Sequence, residues 1–192
     1  MSRRKTLRPE ELHSSPIDYF ENLKLTSGYI KAQTKLTLEL LELMKMEKGS
    51  KILDLGCGFG ISSEILKEFG YEVVGIDICE RMVNFCKEKG INAILGDFRE
   101  LEKYFKKDEF DYGISVSSLQ WISKDRNSLT KFAKGCNHVI KKAIGIQFYP
   151  FSFEELNNLI RVLRKYFGNT ECYIFDKGTK KERIYVISKK KI

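Results

Sequence analysis

Apolar and polar residues alternate along the chain in short blocks, each about as long as one strand or one helix. Apolar residues recur at helical spacing from Tyr29 to Met46, and Gly49 ends this helix. Short apolar runs bounded by glycine or turn residues then predict buried strands. These strands are Lys51–Leu55, Glu72–Ile76, Asn92–Leu95, Phe110–Val116 and Ala143–Phe148.

Helical segments of roughly ten to fifteen residues separate these strands. They are predicted over Ile61–Phe69, Glu80–Lys89, Lys124–Ile140 and Phe153–Phe167. Two more strands, Cys172–Phe175 and Ile184–Ile187, flank a polar turn and are predicted to pair antiparallel. Because strands alternate with helices, the sheet is expected to be mainly parallel. The predicted fold is α/β and Rossmann-like, a seven-stranded mainly parallel sheet with an antiparallel terminal strand and helices on both faces.

The first 28 residues differ from the rest of the chain. Pro9 and Pro16 interrupt them, Arg3, Arg4 and Lys5 make them basic, and their apolar periodicity is weak. We therefore predict an N-terminal arm over residues 1–28 and one domain over residues 29–192.

Composition narrows the class of protein. The chain has 192 residues, of which 42% are hydrophobic and 31% charged, which is typical of a globular protein and not of a disordered one. No apolar run approaches the length of a membrane span, so we expect a soluble, intracellular protein with no membrane partner. The 34 basic residues exceed the 26 acidic ones, which gives a net charge of +8 and favours a nucleic-acid partner.

Cysteine and histidine usage argues against two kinds of site. The five cysteines form no Cys-x-x-Cys pair, and there are only two histidines, His13 and His138. A zinc site needs such ligands clustered, so no metal is predicted. Neither histidine has a nearby nucleophile with a matching acid, so a hydrolase triad is not predicted either.

The loop after the first strand contains Gly56-Cys57-Gly58 and lies at the expected ligand crevice of such a sheet. Glycines there allow the backbone to approach a ligand closely. Asp54 precedes them, and its carboxylate would repel the pyrophosphate of a dinucleotide. S-adenosyl-L-methionine carries no phosphate and bears a cationic sulfur and an ammonium group, so a carboxylate suits it.

Acidic residues at the ends of the next two strands strengthen this interpretation. Asp77 ends the second strand, where an acid accepts hydrogen bonds from ribose hydroxyls. After the third strand, Asp97 is placed to accept from the exocyclic amine of adenine and Phe98 to pack on its ring. Alone, Asp77 or Asp97 is equally well explained as a helix cap or a solvated turn. Together with the glycine loop, the acids predict a class I S-adenosylmethionine-dependent methyltransferase.

Several motifs further resemble the ribosome-biogenesis methyltransferases that modify guanine N7 in 18S-type small-subunit rRNA. They are Arg8-Pro9-Glu10-Glu11-Leu12, Leu53-Asp-Leu-Gly-Cys-Gly58, Gly75-Ile-Asp-Ile78 with Met82, Ser115-Val-Ser-Ser-Leu-Gln-Trp121 and Gln147-Phe-Tyr-Pro150. The resemblance implies methyl transfer to guanine N7 during ribosome biogenesis. It adds Cys57, Ile78, Met82 and Ser115 to the expected cofactor-binding residues.

Guanine N7 has a free lone pair and no proton, so its methylation requires alignment and no general base. No catalytic residue is therefore assigned. We expect Trp121 to stack on a flipped guanine and Gln120, Gln147 or Tyr149 to contact its edge. The alternatives are that Trp121 anchors its loop in the core and that Gln120 braces the loop.

The resemblance also implies a small zinc-ribbon activator subunit, paired with the sheet along the third strand to form a heterodimer. A pre-ribosomal substrate implies the nucleus in a eukaryote and otherwise the cytoplasm. Two other functions stay open at this point. One is methylation of a small molecule, and the other is an rRNA-binding assembly factor whose methylation is dispensable.

Overall fold

The computed structural model describes residues 17–19 and 23–191 of the chain. Residues 17–19 are helical, and five longer α-helices follow. These are α1 (Ser27–Met44), α2 (Ile61–Glu68), α3 (Glu80–Glu88), α4 (Arg126–Val139) and α5 (Phe153–Tyr166). Two short 3₁₀ helices span Phe98–Lys103 and Leu119–Trp121. Arg3, Arg4, Lys5, His13 and the two prolines of the predicted arm lie outside the described residues.

Seven strands form one sheet with the order β3-β2-β1-β4-β5-β7-β6. They are β1 (Lys51–Leu55), β2 (Glu72–Asp77), β3 (Asn92–Leu95), β4 (Phe110–Val116), β5 (Ile140–Phe148), β6 (Gly168–Phe175) and β7 (Arg183–Lys190). The pairs among β1 to β5 are parallel, while β7 is antiparallel to both β5 and β6. The predicted fold is therefore confirmed, including the antiparallel strand.

The chain leaves β1 toward β2 on one side and returns through β4 on the other, so the strand order reverses between β1 and β4. In open α/β sheets, ligands bind outside the carboxyl ends of the strands at such a reversal. This topology places the loop after β1 and the loop after β4 side by side.

Alternation along the strands divides the core into two layers. In β1, Ile52 packs with α1 and α2, whereas Leu53 and Leu55 face the layer formed by α4, α5 and the first 3₁₀ helix. Successive side chains of a strand point to opposite faces, so Asp54 shares the face of Ile52. The sequence therefore directs this carboxyl group toward α2.

Helix α1 is fixed to the sheet by a charged cluster at its middle. Glu39 accepts hydrogen bonds from the Arg183 guanidinium and the Tyr185 hydroxyl of β7. Burial raises the pKa of Glu39, but these hydrogen bonds outweigh burial and the net shift is downward. The predicted arm was expected to end at residue 28, but this position lies inside α1. Leu23 and Leu25, which belong to the predicted arm, pack against a buried cluster around Phe59.

Candidate functional site

Two adjoining cavities open at the carboxyl ends of the parallel strands. The larger, the deep cavity, has a volume of about 210 Å³, far above the ~15 Å³ that one water molecule needs. It is lined by Ile17, Gly56, Asp77, Ile78, Gly96, Asp97, Phe98, Arg99, Ser118, Trp121 and Ile122. The smaller, the glycine-loop cavity, is lined by Tyr29, Gln33, Gly56, Cys57, Gly58, Phe59, Ile61, Ser62, Val116, Ser117 and Ser118. Gly56 and Ser118 line both cavities.

The glycine loop is held against β2 by its own backbone. The amides of Gly56 and Cys57 donate to the Ile76 carbonyl oxygen at 2.8 and 3.2 Å. Gly56 has φ +77°, a left-handed conformation that favours glycine. The Ser118 hydroxyl donates to the Gly56 carbonyl oxygen at 2.9 Å, which ties the loop after β4 to the loop after β1.

Asp77 connects the glycine loop to the start of α3. One carboxylate oxygen accepts from the Gly58 amide and the other from the Cys79 amide, both at 2.9 Å. The side chain is buried, and it lines the deep cavity. Burial raises the pKa of Asp77, and the backbone hydrogen bonds only partly oppose this shift.

Asp97 and Phe98 also line the deep cavity, on its far wall. The Asp97 carboxylate caps the following 3₁₀ helix through the Arg99 amide and accepts from the Arg99 guanidinium with both oxygens. Burial raises the pKa of Asp97, but the bonds from Arg99 lower it further than burial raises it. Phe98 packs edge-on against Phe132 of α4, with ring centroids 5.5 Å apart.

Asp54 lies behind the cavities, not on their walls. The Ser63 hydroxyl of α2 donates to its carboxylate at 2.7 Å, and only 1% of the residue is exposed. Burial raises the pKa of Asp54 to about 7, against the opposing hydrogen bond from Ser63. The sequence analysis expected the Asp54 carboxylate to contact the ligand directly. In the structure this carboxyl group lines neither cavity and is bonded to α2 instead.

Met82 and Ser115 line neither cavity. Met82, on the buried face of α3, is part of the cluster around Phe59. The Ser115 hydroxyl donates to the Leu55 carbonyl oxygen at 3.0 Å and so joins β4 to the end of β1. Both residues support the cavity walls from behind.

Ser117 organises two glutamine side chains beside the glycine-loop cavity. It has φ +56°, and its amide and hydroxyl donate to the Gln147 side-chain oxygen at 3.1 and 2.9 Å. The Gln120 amide nitrogen donates to the Ser117 carbonyl oxygen. These bonds leave Gln147 Nε2 and Gln120 Oε1 buried without a hydrogen-bond partner. Neither glutamine lines either cavity, and the two unpaired atoms are shielded from solvent, so their link to the glycine-loop cavity runs through Ser117, which does line it.

Of the two aromatic residues expected to contact the base, Trp121 lines a cavity and Tyr149 lines neither. The Trp121 ring lines the deep cavity and lies 5.6 Å from the ring of Tyr19. Tyr149 is 42% exposed. Burial raises the pKa of Tyr149, and the positive charge of Arg183 and then the nearby Gln147 side chain partly oppose that shift.

Several lining residues were not among the site residues expected from the sequence. Ile17 lies in the predicted arm, where weak periodicity gave no signal, and Tyr29 lies at the start of α1, which was predicted as a helix but not as part of the site. Arg99 and Ser118 reach the cavities only because loops after β3 and β4 fold back over the sheet. Burial is the main cause of the raised pKa of Tyr29.

Two negative findings apply to the part of the chain that the structure describes. Its histidine, cysteine and carboxylate side chains form no group able to hold a metal ion. None of its helices is both long enough and apolar enough to cross a bilayer.

Comparison with known proteins adds to this geometry. A family model described as a methyltransferase domain matches residues 53–143, and one described as protein-L-isoaspartate(D-aspartate) O-methyltransferase matches residues 4–93. A crystal structure of a SAM dependent methyltransferase from Archaeoglobus fulgidus superposes with a TM-score of 0.66 at 21% identity. It covers 84% of this chain and 99% of that one, and shows the shared fold.

Two curated relatives carry the same name as the family that the motifs resemble. The mouse 18S rRNA (guanine-N(7))-methyltransferase is 34% identical over 62% of this chain and 44% of its own length. The Saccharomyces cerevisiae 18S rRNA (guanine(1575)-N(7))-methyltransferase is 31% identical over 80% of this chain and 62% of its own length. The chain thus spans less than two thirds of either relative. The chain is thus similar in sequence to the 18S rRNA (guanine-N7)-methyltransferases, and it shares the fold of S-adenosylmethionine-dependent methyltransferases.

Proposed function

We propose that this chain transfers a methyl group from S-adenosyl-L-methionine to N7 of a guanine in small-subunit rRNA during ribosome biogenesis. The relatives' names supply the reaction and the substrate. The observation that carries the proposal structurally is the pair of buried glutamine amides, an unpaired donor and an unpaired acceptor fixed by Ser117 beside the glycine-loop cavity.

The cavities fit the cofactor of this class. S-adenosylmethionine supplies an electrophilic methyl group on a sulfonium, together with an adenosine and an amino-acid end. Asp77 would hold the ribose hydroxyls, and Ile78 and Phe98 would flank the adenine in the deep cavity, with Asp97 at its edge. The backbone at Gly56, Cys57 and Gly58 would border the amino-acid end in the glycine-loop cavity.

One wall residue favours this cofactor over a dinucleotide. An acid placed as Asp77 binds a ribose in either ligand, but the Asp97 carboxyl group, which also lines the deep cavity, would repel a pyrophosphate. The adjoining glycine-loop cavity narrows to about 20 Å³, in contrast to the roomy deep cavity. Asp54, Met82 and Ser115 contribute as supports, since they hold β1, α3 and β4 in place behind the walls.

The chain's task in the reaction is alignment. Guanine N7 attacks with its own lone pair and releases no proton, so no residue has to act as a general base. Holding the nucleophile and the methyl carbon in line at about 3–3.5 Å is sufficient to lower the barrier by several kcal/mol. Ser117, at the junction of the two loops, borders the cavity from which the methyl group would be presented.

The two amides match the hydrogen-bonding groups of guanine. Gln147 Nε2, a donor, suits O6, which neighbours N7 on the same edge of the base. Gln120 Oε1, an acceptor, suits the N1 hydrogen or the N2 amine. Adenine has an amine where guanine has O6, so the donor Gln147 Nε2 would face another donor and could form no hydrogen bond. We assign Trp121 and Tyr149 to the faces of the bound base.

Charge and topology extend the proposal to partners. The net charge of +8 favours binding to RNA phosphates. Strand β3 is an open edge of the sheet, and its Leu95 is 47% exposed. We assign this edge to the zinc-ribbon activator subunit in a heterodimer. With a pre-ribosomal substrate, the complex would work in the nucleus of a eukaryotic cell and otherwise in the cytoplasm.

The test is transfer of labelled methyl from S-adenosylmethionine to small-subunit rRNA by the purified chain with its activator subunit. We expect one labelled guanine, and the signal disappears when that guanine is changed to adenine. Methylation of small acids or amines in place of rRNA would support a small-molecule enzyme. A full cellular role for a variant that no longer binds the cofactor would support the assembly-factor alternative.

A further inference from the structure

A cluster of exposed aromatic rings lies next to the proposed acceptor site, and of its rings only Tyr149 has been assigned a role above. Residues 149–153, here named the aromatic loop, join β5 to α5 with the sequence Tyr-Pro-Phe-Ser-Phe. Tyr149 and Phe151 are each 42% exposed, and Phe153 is 74% exposed. A fully solvated phenylalanine ring costs free energy unless a partner covers it, so this concentration of rings indicates a binding surface.

The aromatic loop is held in place by a buried carboxylate. The Glu155 side chain accepts from the Phe151 amide at 2.7 Å and from the Ser123 hydroxyl at 3.2 Å. Ser152 caps α5 by accepting from the Glu155 amide. Since Ser123 follows the loop that carries Trp121, Glu155 couples the aromatic loop to the wall of the deep cavity. The rings are therefore presented on a fixed backbone, which lowers the entropy lost on binding.

The position of the loop points to the nucleotides next to the target base. Strands β4 and β5 pair in register up to Val116 and Gln147, so Ser117 and the aromatic loop leave the sheet at adjacent points. A base that enters beside Ser117 brings its chain neighbours across this surface. Unpaired bases are bound in proteins mainly by stacking on aromatic side chains.

The chemistry of the patch favours RNA over a protein partner. Its large exposed side chains are all rings, with no aliphatic residue among them. Lys124 Nζ lies 5.1 Å from the centre of the Phe151 ring and adds positive charge at the patch. Glu154, also exposed, lies between Phe153 and Glu155 and disfavours direct phosphate contacts there. Stacking, and not phosphate binding, is thus the main interaction that the surface offers.

We propose that the aromatic loop is a stacking platform for single-stranded RNA flanking the methylated guanine, with Phe153 as its principal ring. The proposal rests on the proposed RNA substrate, and it adds a surface that selects unpaired RNA around the target. It explains why the most exposed phenylalanine of the described chain lies at the carboxyl edge of the sheet.

The test measures binding of the full chain to a short labelled single-stranded RNA of mixed sequence and to a duplex of equal length, by fluorescence anisotropy. The variants are Phe153→Ala, Phe153→Leu and Phe153→Tyr. Phe69→Ala is the matched control, because Phe69 is 55% exposed but directly follows α2, whose end lies away from the cavities. Cofactor binding is measured for each variant as a check on folding.

We expect Phe153→Ala to weaken single-strand binding about fivefold to tenfold, as loss of one stacked base does. Phe153→Leu is expected to lose as much affinity for the single strand, since leucine keeps apolar area but has no π-face. Phe153→Tyr is expected to bind as the parent chain does. Duplex binding and the salt dependence of binding stay unchanged, and Phe69→Ala behaves as the parent chain does.

Three outcomes overturn the platform: Phe153→Ala binds as the parent does, Phe153→Leu binds as the parent does, or duplex binding falls equally. Full binding by Phe153→Leu would indicate an apolar protein-docking surface instead. Failure of the proposed function is separable. If labelled methyl never reaches rRNA but the Phe153 variants still differ on single strands, the platform stands and the assigned reaction falls.

Discussion

Gly56 and Ser118 touch across the tip of the sheet, and no side chain fits between them. A Cβ built on Gly56 would lie 2.4 Å from the Ser118 hydroxyl oxygen and 2.6 Å from its Cβ. Gly56 lines both cavities, so this contact also fixes the distance between the two halves of the ligand crevice. The sequence motif requires glycine here for space as well as for its positive φ.

Gly56→Ala is therefore expected to lower affinity for S-adenosylmethionine at least about tenfold, equivalent to about 1.4 kcal/mol. Titration calorimetry measures the change. Gly70→Ala is the matched control, since Gly70 has φ +84° and a Cβ there meets nothing within 4 Å. Both variants lose about 1 kcal/mol of stability to backbone strain, but only Gly56→Ala is expected to lose affinity. Equal losses of affinity in both would contradict the role of the Ser118 contact.

Asp77 is expected to contribute more to cofactor affinity than any other carboxyl group of the site. Asp77→Asn removes the negative charge and keeps only one of the two bonds from backbone amides, because its NH2 group cannot accept the other, so we expect affinity to fall about tenfold to a hundredfold. Asp111→Asn is the control, because the Asp111 carboxylate accepts from the Lys51 amide at the opposite end of the sheet. Calorimetry that finds the two variants alike would remove Asp77 from the binding site.

The buried Asp54 predicts an unusual dependence of stability on pH. Its pKa is about 7 in the folded chain, because of burial, against 3.8 for an exposed aspartate. Between these values the folded state binds more protons than the unfolded state, so the free energy of unfolding falls as pH rises. The pKa of Asp77 is also raised, so Asp77 too makes the free energy of unfolding fall as pH rises.

Asp54→Asn removes this contribution while the side-chain oxygen still accepts from Ser63. The variant is expected to be more stable than the parent at pH 8, by about 1 kcal/mol or more, with little difference at pH 4. Urea unfolding at both values measures this. A variant that loses stability equally at both pH values would show that the carboxylate itself stabilises the fold.

The sequence predicted the bounds of some helices and strands more accurately than those of others. Strands β3 and β4 were predicted to the residue, because each is a short apolar run between polar turns. Strand β5 begins three residues before its predicted start, since Lys141 and Lys142 continue the ladder past an irregular register next to Phe110. The helix predicted from Lys124 begins at Arg126, because the Asp125 side chain accepts from two amides of its first turn.

Some features of the site could likewise be predicted from the sequence and others could not. Gly56 and Asp77 were predictable, since strand ends in a parallel sheet meet at one edge. The place of Asp54 depends on Ser63, nine positions away on α2, and no local pattern specifies that bond. The hydrogen bonds that Gln120 and Gln147 share with Ser117 depend on the positive φ of Ser117, a conformation that serine seldom adopts and that the sequence does not signal.

The proposed activator subunit is expected to bind at β3, which is an edge strand of the described sheet. Leu95→Lys places a charge on this edge and is expected to abolish copurification with a coexpressed zinc-ribbon activator. Ile174→Lys is the control, because Ile174 is 38% exposed on β6, the other edge strand. Loss of the complex with Ile174→Lys and its survival with Leu95→Lys would move the interface to β6.

Gln147 is expected to act on methyl transfer and not on cofactor binding. Gln147→Glu keeps an oxygen for the Ser117 amide and hydroxyl but exchanges the donor nitrogen for an acceptor, opposite guanine O6. We expect the rate of transfer to fall about tenfold to a hundredfold, the cost of an unmatched polar group in a buried site. A buried carboxyl has a raised pKa, and its protonated form donates again, so lowering the pH restores part of the rate. Asn157→Asp, the same exchange on α5, is the control. A rate that does not recover at low pH, or a loss of cofactor affinity equal to the loss of rate, would contradict the donor role of Gln147.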